Sequence, residues 1–321
     1  MKKLLYLCVI LIACGEPSEP SRSNELSEPS ELSELNEPET IGLQMPNVER
    51  LEDLPNVSAS TINKYTWIDN YDISTALINR IPVPEGYQRM NASENTFGDW
   101  LRHLPLKPYD TKVLLFNGEE KPRQDVHAAI VNIDVGNKDL QQCADAVMRL
   151  KAEYHYSRQE YDKIHFNFTS GDKVSFDDWR FGRKPKVKGN SVTFSARTAT
   201  ADNSYANFKQ YMNMIFLYAG TYSVSQELKK KDVSDIQIGD VFIVGGFPGH
   251  AMIVVDVAKD KKNTGKTIFL LAQSYMPAQN IHIVKNFNAE SADLGCWFST
   301  DFSNFLETPE YSFTRNDLKH W

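Results

Sequence analysis

The sequence predicts an α+β fold, on three observations. Two amphipathic helical stretches, 139–158 and 204–219, precede most of the strand-like segments. Four apolar runs follow them, at 240–244, 250–258, 267–273 and 281–285. Turn-forming residues, not further helical repeats, separate those runs, so the later half reads as an antiparallel meander set against earlier helices.

The N-terminus comes first in the chain and has its own logic. Lys2 and Lys3 give a positive start, and Leu4 to Ala13 form an uncharged apolar run that ends Leu11-Ile12-Ala13-Cys14-Gly15. A bilayer-spanning helix needs about twenty apolar residues, so this run is too short for one and reads instead as an export signal. The small residues before Cys14 are the pattern a lipoprotein signal peptidase reads. Residues 1–13 are therefore expected to be removed and Cys14 to carry a lipid, with the membrane as its partner; Gly15, not Asp, points to the outer membrane of a Gram-negative envelope. Residues 14–60 read as a tether, because the Ser-Glu-Leu and Ser-Glu-Pro triplets of its first half hold many carboxylates and few apolar side chains. Such a composition cannot bury enough surface to offset chain entropy, and its prolines and like charges keep it extended.

From residue 61 to Trp321 the composition is that of one globular domain. The chain as a whole is 41% hydrophobic, with 17 Phe and 14 Tyr, and its net charge of −7 argues against nucleic acid, which requires a basic face. Val113–Phe116 and Val126–Val135 read as strands joined across Asn117-Gly118 and a polar turn. Asp139 to about Arg158 reads as a helix opened by a capping box, Asp139-x-x-Gln142, with Leu140, Ala144, Val147 and Tyr154 at helical spacing. Lys163–Phe168 alternates as a strand, 172–191 is charged and reads as an irregular surface excursion, and Tyr205, Phe208, Met212, Ile215 and Phe216 give the next helix a core face.

Three residues could carry chemistry because of where these elements place them. Cys143 falls in the first turn of its helix, where unpaired N–H groups and the dipole favour a thiolate; it also shares a face with Leu140 and Val147, as a core cysteine would. Asp139 and Asp145 in the same turn oppose thiolate formation. His250 opens a strand directly after Gly245-Gly-Phe-Pro-Gly249, and folding the next hairpin near residue 263 brings Gln273 beside it. A polar group there can hold the imidazole in one tautomer. Export places Cys143 and Cys296 in an oxidising compartment, so a disulfide between them and two free thiols both remain open. His127 with Asp134, and His155 with His165, lack metal-ligand spacing, so neither a metal nor another cofactor is expected. His282 reads as the outward face of a strand, and Asn167 with Thr169 as turn caps or cleft-lining residues.

The segments Asp235-Ile-Gln-Ile-Gly-Asp-Val-Phe-Ile, Gly249-His250-Ala-Met-Ile-Val-Val and Phe269-Leu-Leu-Ala-Gln273 resemble the NlpC-type and CHAP-type cell-wall peptidases. The resemblance implies a papain-like core with a Cys-bearing helix followed by the β-meander, with Cys143 as nucleophile, His250 as base and Gln273 as orienting residue. It implies a thiol hydrolase acting on amide bonds in peptidoglycan or a related polymer. The Cys segment reads Gln142-Cys143-Ala144-Asp145 where the NlpC type has Asp-Cys-Ser-Gly, which leaves open a non-catalytic envelope lipoprotein that binds a glycan or protein. A broader likeness runs through Phe97–Leu106, His127–Gly136, Asp139–Leu150 and Gln273–Gln279. These stretches are similar to the bacterial family catalogued as domain of unknown function 4846, which implies a fold unit but no assigned activity.

Overall fold

A computed structural model describes residues 65–263 and 265–321. The segments expected to be an export signal, 1–13, a lipidated Cys14 and a tether to residue 60 lie outside the described residues. The fold is a mixed α+β structure whose sheets are antiparallel.

Nine strands form the main sheet: β1 (Tyr87–Arg89), β2 (His127–Ile130), β3 (Lys229–Lys230), β4 (Val241–Val244), β5 (His250–Asp260), β6 (Thr267–Gln273), β7 (His282–Val284), β8 (Phe298–Ser299) and β9 (Leu318–His320). Their order is β2-β7-β6-β5-β4-β9-β3, with β1 added on β5 and β8 on β6. The four runs read as strands from the sequence are β4, β5, β6 and β7. They are buried along almost their whole length because both faces of the sheet are covered. Ala251, Ile253 and Val255 of β5, with Leu270 and Ala272 of β6, face the larger core. Met252 and Val254 face the second core, together with Phe242, Phe269, Phe298 and Phe313.

Among the described residues there are six α-helices: α1 (Leu77–Arg80), α2 (Phe97–Arg102), α3 (Cys143–Ser157), α4 (Phe176–Arg180), α5 (Tyr205–Tyr218) and α6 (Thr221–Glu227). Helix α3 packs on β5 through Ala144 and Val147. Val147 and Leu150 are fully buried, each contributing about 1.5–3 kcal/mol relative to an exposed position. Helix α3 starts four residues later than the sequence predicts. Asp139 does not cap it; its Oδ1 accepts from the Ala278 N–H at 2.7 Å and from Gln142 Nε2 at 3.0 Å. The capping pair is Gln142 and Asp145, with the Gln142 N–H donating to Asp145 Oδ2 at 3.0 Å.

Three other expectations are corrected. Val113–Phe116 forms no strand: Leu114 and Leu115 make single bridges to Glu120 and Gln279, and of 126–135 only β2 is extended in a ladder. Residues 172–191 are not irregular. They hold a strand at Lys173–Ser175, helix α4, and the strand Pro185–Lys188, which pairs with Ser191–Phe194. Phe176 and Trp179 anchor this stretch against Tyr211 of α5. The charges that suggested a surface loop lie on its outer face. Short C-terminal strands that the sequence does not announce, including Phe305–Glu307 and Ser312–Thr314, close over the second core.

Candidate active site

The site lies where the start of α3 meets the start of β5. The register between β5 and β6 makes it possible. Leu270 pairs with Asp256, but Leu271 pairs with Val254, so Val255 has no partner. This bulge shifts the ladder by one residue. Without it Gln273 would lie opposite Ile253 and His250 would point to the helical side, since a one-residue slip exchanges the two faces of β5. With it, Gln273 shares the face of Met252 and His250. His250 Nε2 and Gln273 Oε1 are 2.7 Å apart, in the arrangement expected from the sequence.

Gln273 is held from two further directions. Its Nε2 donates to Glu310 Oε2 at 2.7 Å and to His282 Nε2 at 3.2 Å. The carboxylate can only accept, so the amide oxygen must be the atom facing His250. His250 Nε2 therefore carries the proton, and its Nδ1 is the basic nitrogen. By the same reasoning His282 accepts at Nε2 and donates from Nδ1 to the Asn280 carbonyl at 2.9 Å. Glu310 is itself fixed by Lys121, whose Nζ lies 2.6 and 2.7 Å from its two oxygens. Burial lowers both imidazoles, His250 to about 4 and His282 to about 3, so both are neutral at pH 7.

His282 corrects the sequence expectation: it is fully buried and belongs to this network. Glu310 and Lys121 carry no sequence signal, being 189 residues apart along the chain. Tyr275 and Tyr311 flank the His250 ring at centroid distances of 4.8 and 5.1 Å.

Cys143 is the first residue of α3. The Cys143 and Ala144 N–H groups and the Ala251 N–H all approach its sulfur and favour the thiolate. Burial opposes them and dominates, assisted by the Asp145 carboxylate, and the thiol is pushed up to about 11. Tyr275 and Tyr311, which flank the His250 ring, both sense the Cys143 charge. The segment entering α3 is tied to the end of β6: the Ser274 hydroxyl lies 3.0 Å from the Gln141 carbonyl. Arg149 donates to Gln141 Oε1 at 3.0 Å from within α3, which holds the segment entering Cys143.

Cys143 and Cys296 are both free thiols, so the disulfide alternative is not what the structure adopts. The other candidates sit apart from this site. Asp134 pairs with Arg149 and Lys209, His155 with Glu160, and His127 Nε2 lies 3.3 Å from the Thr111 carbonyl. Among the described residues no group of three or more His, Cys, Asp or Glu side chains is placed to hold a metal ion. Thr169 lines a cavity of about 500 Å³ with Phe168, Val187 and Tyr218, while the Asn167 N–H donates to Glu227 at 2.7 Å. Among the described residues no helix is long and apolar enough to cross a membrane.

No curated protein and no solved structure matches the chain. The family model for domain of unknown function 4846 matches residues 77–320, which span the main sheet, all six helices and every residue of the site described above; the chain belongs to that family.

Proposed function

We propose that this protein is a papain-like thiol hydrolase, held at the envelope by a lipid on Cys14, that cleaves amide bonds in peptidoglycan or a related polymer. The observation that carries the reading is the His250–Gln273 pair with its tautomer fixed, together with a cysteine at the start of α3 whose sulfur meets the Ala251 N–H, one residue along β5 from His250. His250 Nδ1 takes the proton of the Cys143 thiol as the sulfur attacks the carbonyl carbon. The N–H groups of Cys143 and Ala144, at the positive end of α3, face the oxyanion of the tetrahedral intermediate. The same imidazole then returns its proton to the departing amine, leaving a thioester that water hydrolyses to release the acid and restore the thiol. Gln273 orients the ring, and Glu310 with Lys121 orients Gln273. Because thiol and imidazole are both neutral at rest, deprotonation accompanies attack and no ion pair precedes it.

The raised thiol pKa also supports a second reading, a non-catalytic module that binds an envelope glycan or protein and keeps Cys143 as a core residue. Digestion of purified peptidoglycan sacculi separates the two. The hydrolase reading expects new carboxyl and amino termini by mass spectrometry with wild-type protein, and none with Cys143→Ala or His250→Ala. Sedimentation of wild-type protein with sacculi that gain no new termini would instead support the binder.

A further inference from the structure

A second feature lies beyond the Cys143 region, on the edge of the sheet. A cavity of about 360 Å³ opens between β2, the 107–112 loop and the end of α1. Four cations line it, Arg80, Lys107, Lys112 and Lys285, against one carboxylate, Asp110. Among the described residues none of the four makes an ion pair with a carboxylate, whereas Arg89, Arg102, Lys121, Arg149 and Lys231 each do. In a chain of net charge −7 this is a local excess of positive charge of three, counting four cations against Asp110.

Two polar atoms facing this region are left without partners. Arg80 Nε and His127 Nδ1 are buried and make no hydrogen bond among the described residues. A buried polar atom without a partner costs about 1–3 kcal/mol, and such atoms in a native protein call for an explanation. Tyr109, 71% exposed, lies over the Arg80 guanidinium at 3.6 Å and holds it at the cavity mouth. Burial and the neighbouring cations Lys285, Lys121 and Lys112 depress the His127 pKa, as a site missing its counter-charge would.

We propose that this cavity is a binding site for a multiply charged oxyanion, one carrying phosphate or several carboxylates. Four separated cations match an anion with charge spread over several oxygens better than one carboxylate, which a single arginine satisfies. Arg80 Nε would donate to it, as would His127 Nδ1 once the ring takes up a proton, its Nε2 facing the Thr111 carbonyl, and Lys112 and Lys285 would close over it from the exposed side. The site does not depend on whether Cys143 is a nucleophile.

The test is titration of the full chain with inorganic pyrophosphate and with citrate, at constant ionic strength, by isothermal calorimetry and by NMR of the His127 ring. The comparison is the double variant Lys112→Gln/Lys285→Gln, whose side chains are not part of the core. Wild-type protein is expected to bind at least one of the two anions, with the His127 pKa rising on saturation and affinity falling at least tenfold in the double variant. Pyrophosphate binding alone assigns a phosphoryl ligand, citrate binding alone a polycarboxylate, and both assign a general polyanion site. Absence of binding by both, or equal affinity in the double variant, overturns the proposal.

Discussion

The Gln273 amide has one oxygen and two hydrogens to place, and each meets a group that accepts only one choice. The oxygen faces His250, one hydrogen faces the Glu310 carboxylate, and the other faces His282 Nε2. Reversing the amide would set its oxygen against the carboxylate, so the two histidines are locked into opposite tautomers. Both have folded pKa values below the ordinary 6.5 of histidine. The unfolded chain therefore binds more protons than the folded one between about pH 6.5 and 4. The stability these two rings contribute is fully present above pH 6.5 and is lost as the pH falls through that window. NMR of the ring nitrogens at pH 5 is expected to find both neutral, with the proton on Nε2 of His250 and on Nδ1 of His282. Unfolding free energy should fall as the pH is lowered from 6.5 to 4; charged rings at pH 5 would contradict the assignment. Sequence reasoning reached the His250–Gln273 contact and the place of Cys143 at a helix start because helix starts and strand ends are local patterns. It missed His282, since alternation along β7 gives an outward face only where nothing covers it. It could not reach Lys121 or Glu310, whose meeting depends on the tertiary fold alone.

Among the elements, the loop entering β5 is the most constrained. Gly249 directly precedes His250, and a Cβ there would sit 2.4 Å from the Gly246 carbonyl oxygen and 2.8 Å from that of Val244. Neither obstacle is a flexible side chain, so only backbone movement could relieve the contact. Gly249→Ala is expected to destabilise by about 1–3 kcal/mol and to loosen the His250–Gln273 hydrogen bond. Gly220→Ala, where φ is −175° and nothing lies within 4 Å, should be near neutral. Equal melting temperatures for the two variants would refute the packing argument. The bulge at Val255 marks the limit of what elements reveal in advance. Both strands and their hairpin were readable from apolar runs and turn residues, but a one-residue change of register leaves no trace in composition. The late start of α3 has a similar cause: Asp139 has the residue type of a cap, and its carboxylate is drawn instead to the Ala278 amide, a partner far along the chain.

Across the whole molecule, Arg149 is the charge that joins the helical layer to the site. It is 1% exposed and reaches Glu153, Asp134, Gln141 and the Tyr205 hydroxyl, so α3, α5, the 134 loop and the approach to Cys143 meet on one guanidinium. Arg149→Ala would leave Glu153, itself fully buried, without its cation. Breaking a buried pair in this way costs about 3–5 kcal/mol, measurable by urea unfolding; a loss below about 1 kcal/mol would show that the hub is dispensable. The α+β class and the run of strands β4 to β7 were legible because burial on both faces demands long apolar stretches. The short strands after residue 298 were not, because each is two or three residues long and takes its place from the second core.

The Glu310 contact has a consequence for the order in which a ribosome delivers this chain. Cys143, His250 and Gln273 emerge first, and the carboxylate that holds the amide in its working orientation follows 37 residues after Gln273. A nascent chain halted between them would possess all three side chains with the amide free to turn either way. The His250–Gln273 pair is thus completed only after the segment that carries Glu310 has been made, and until then nothing fixes which way its amide points.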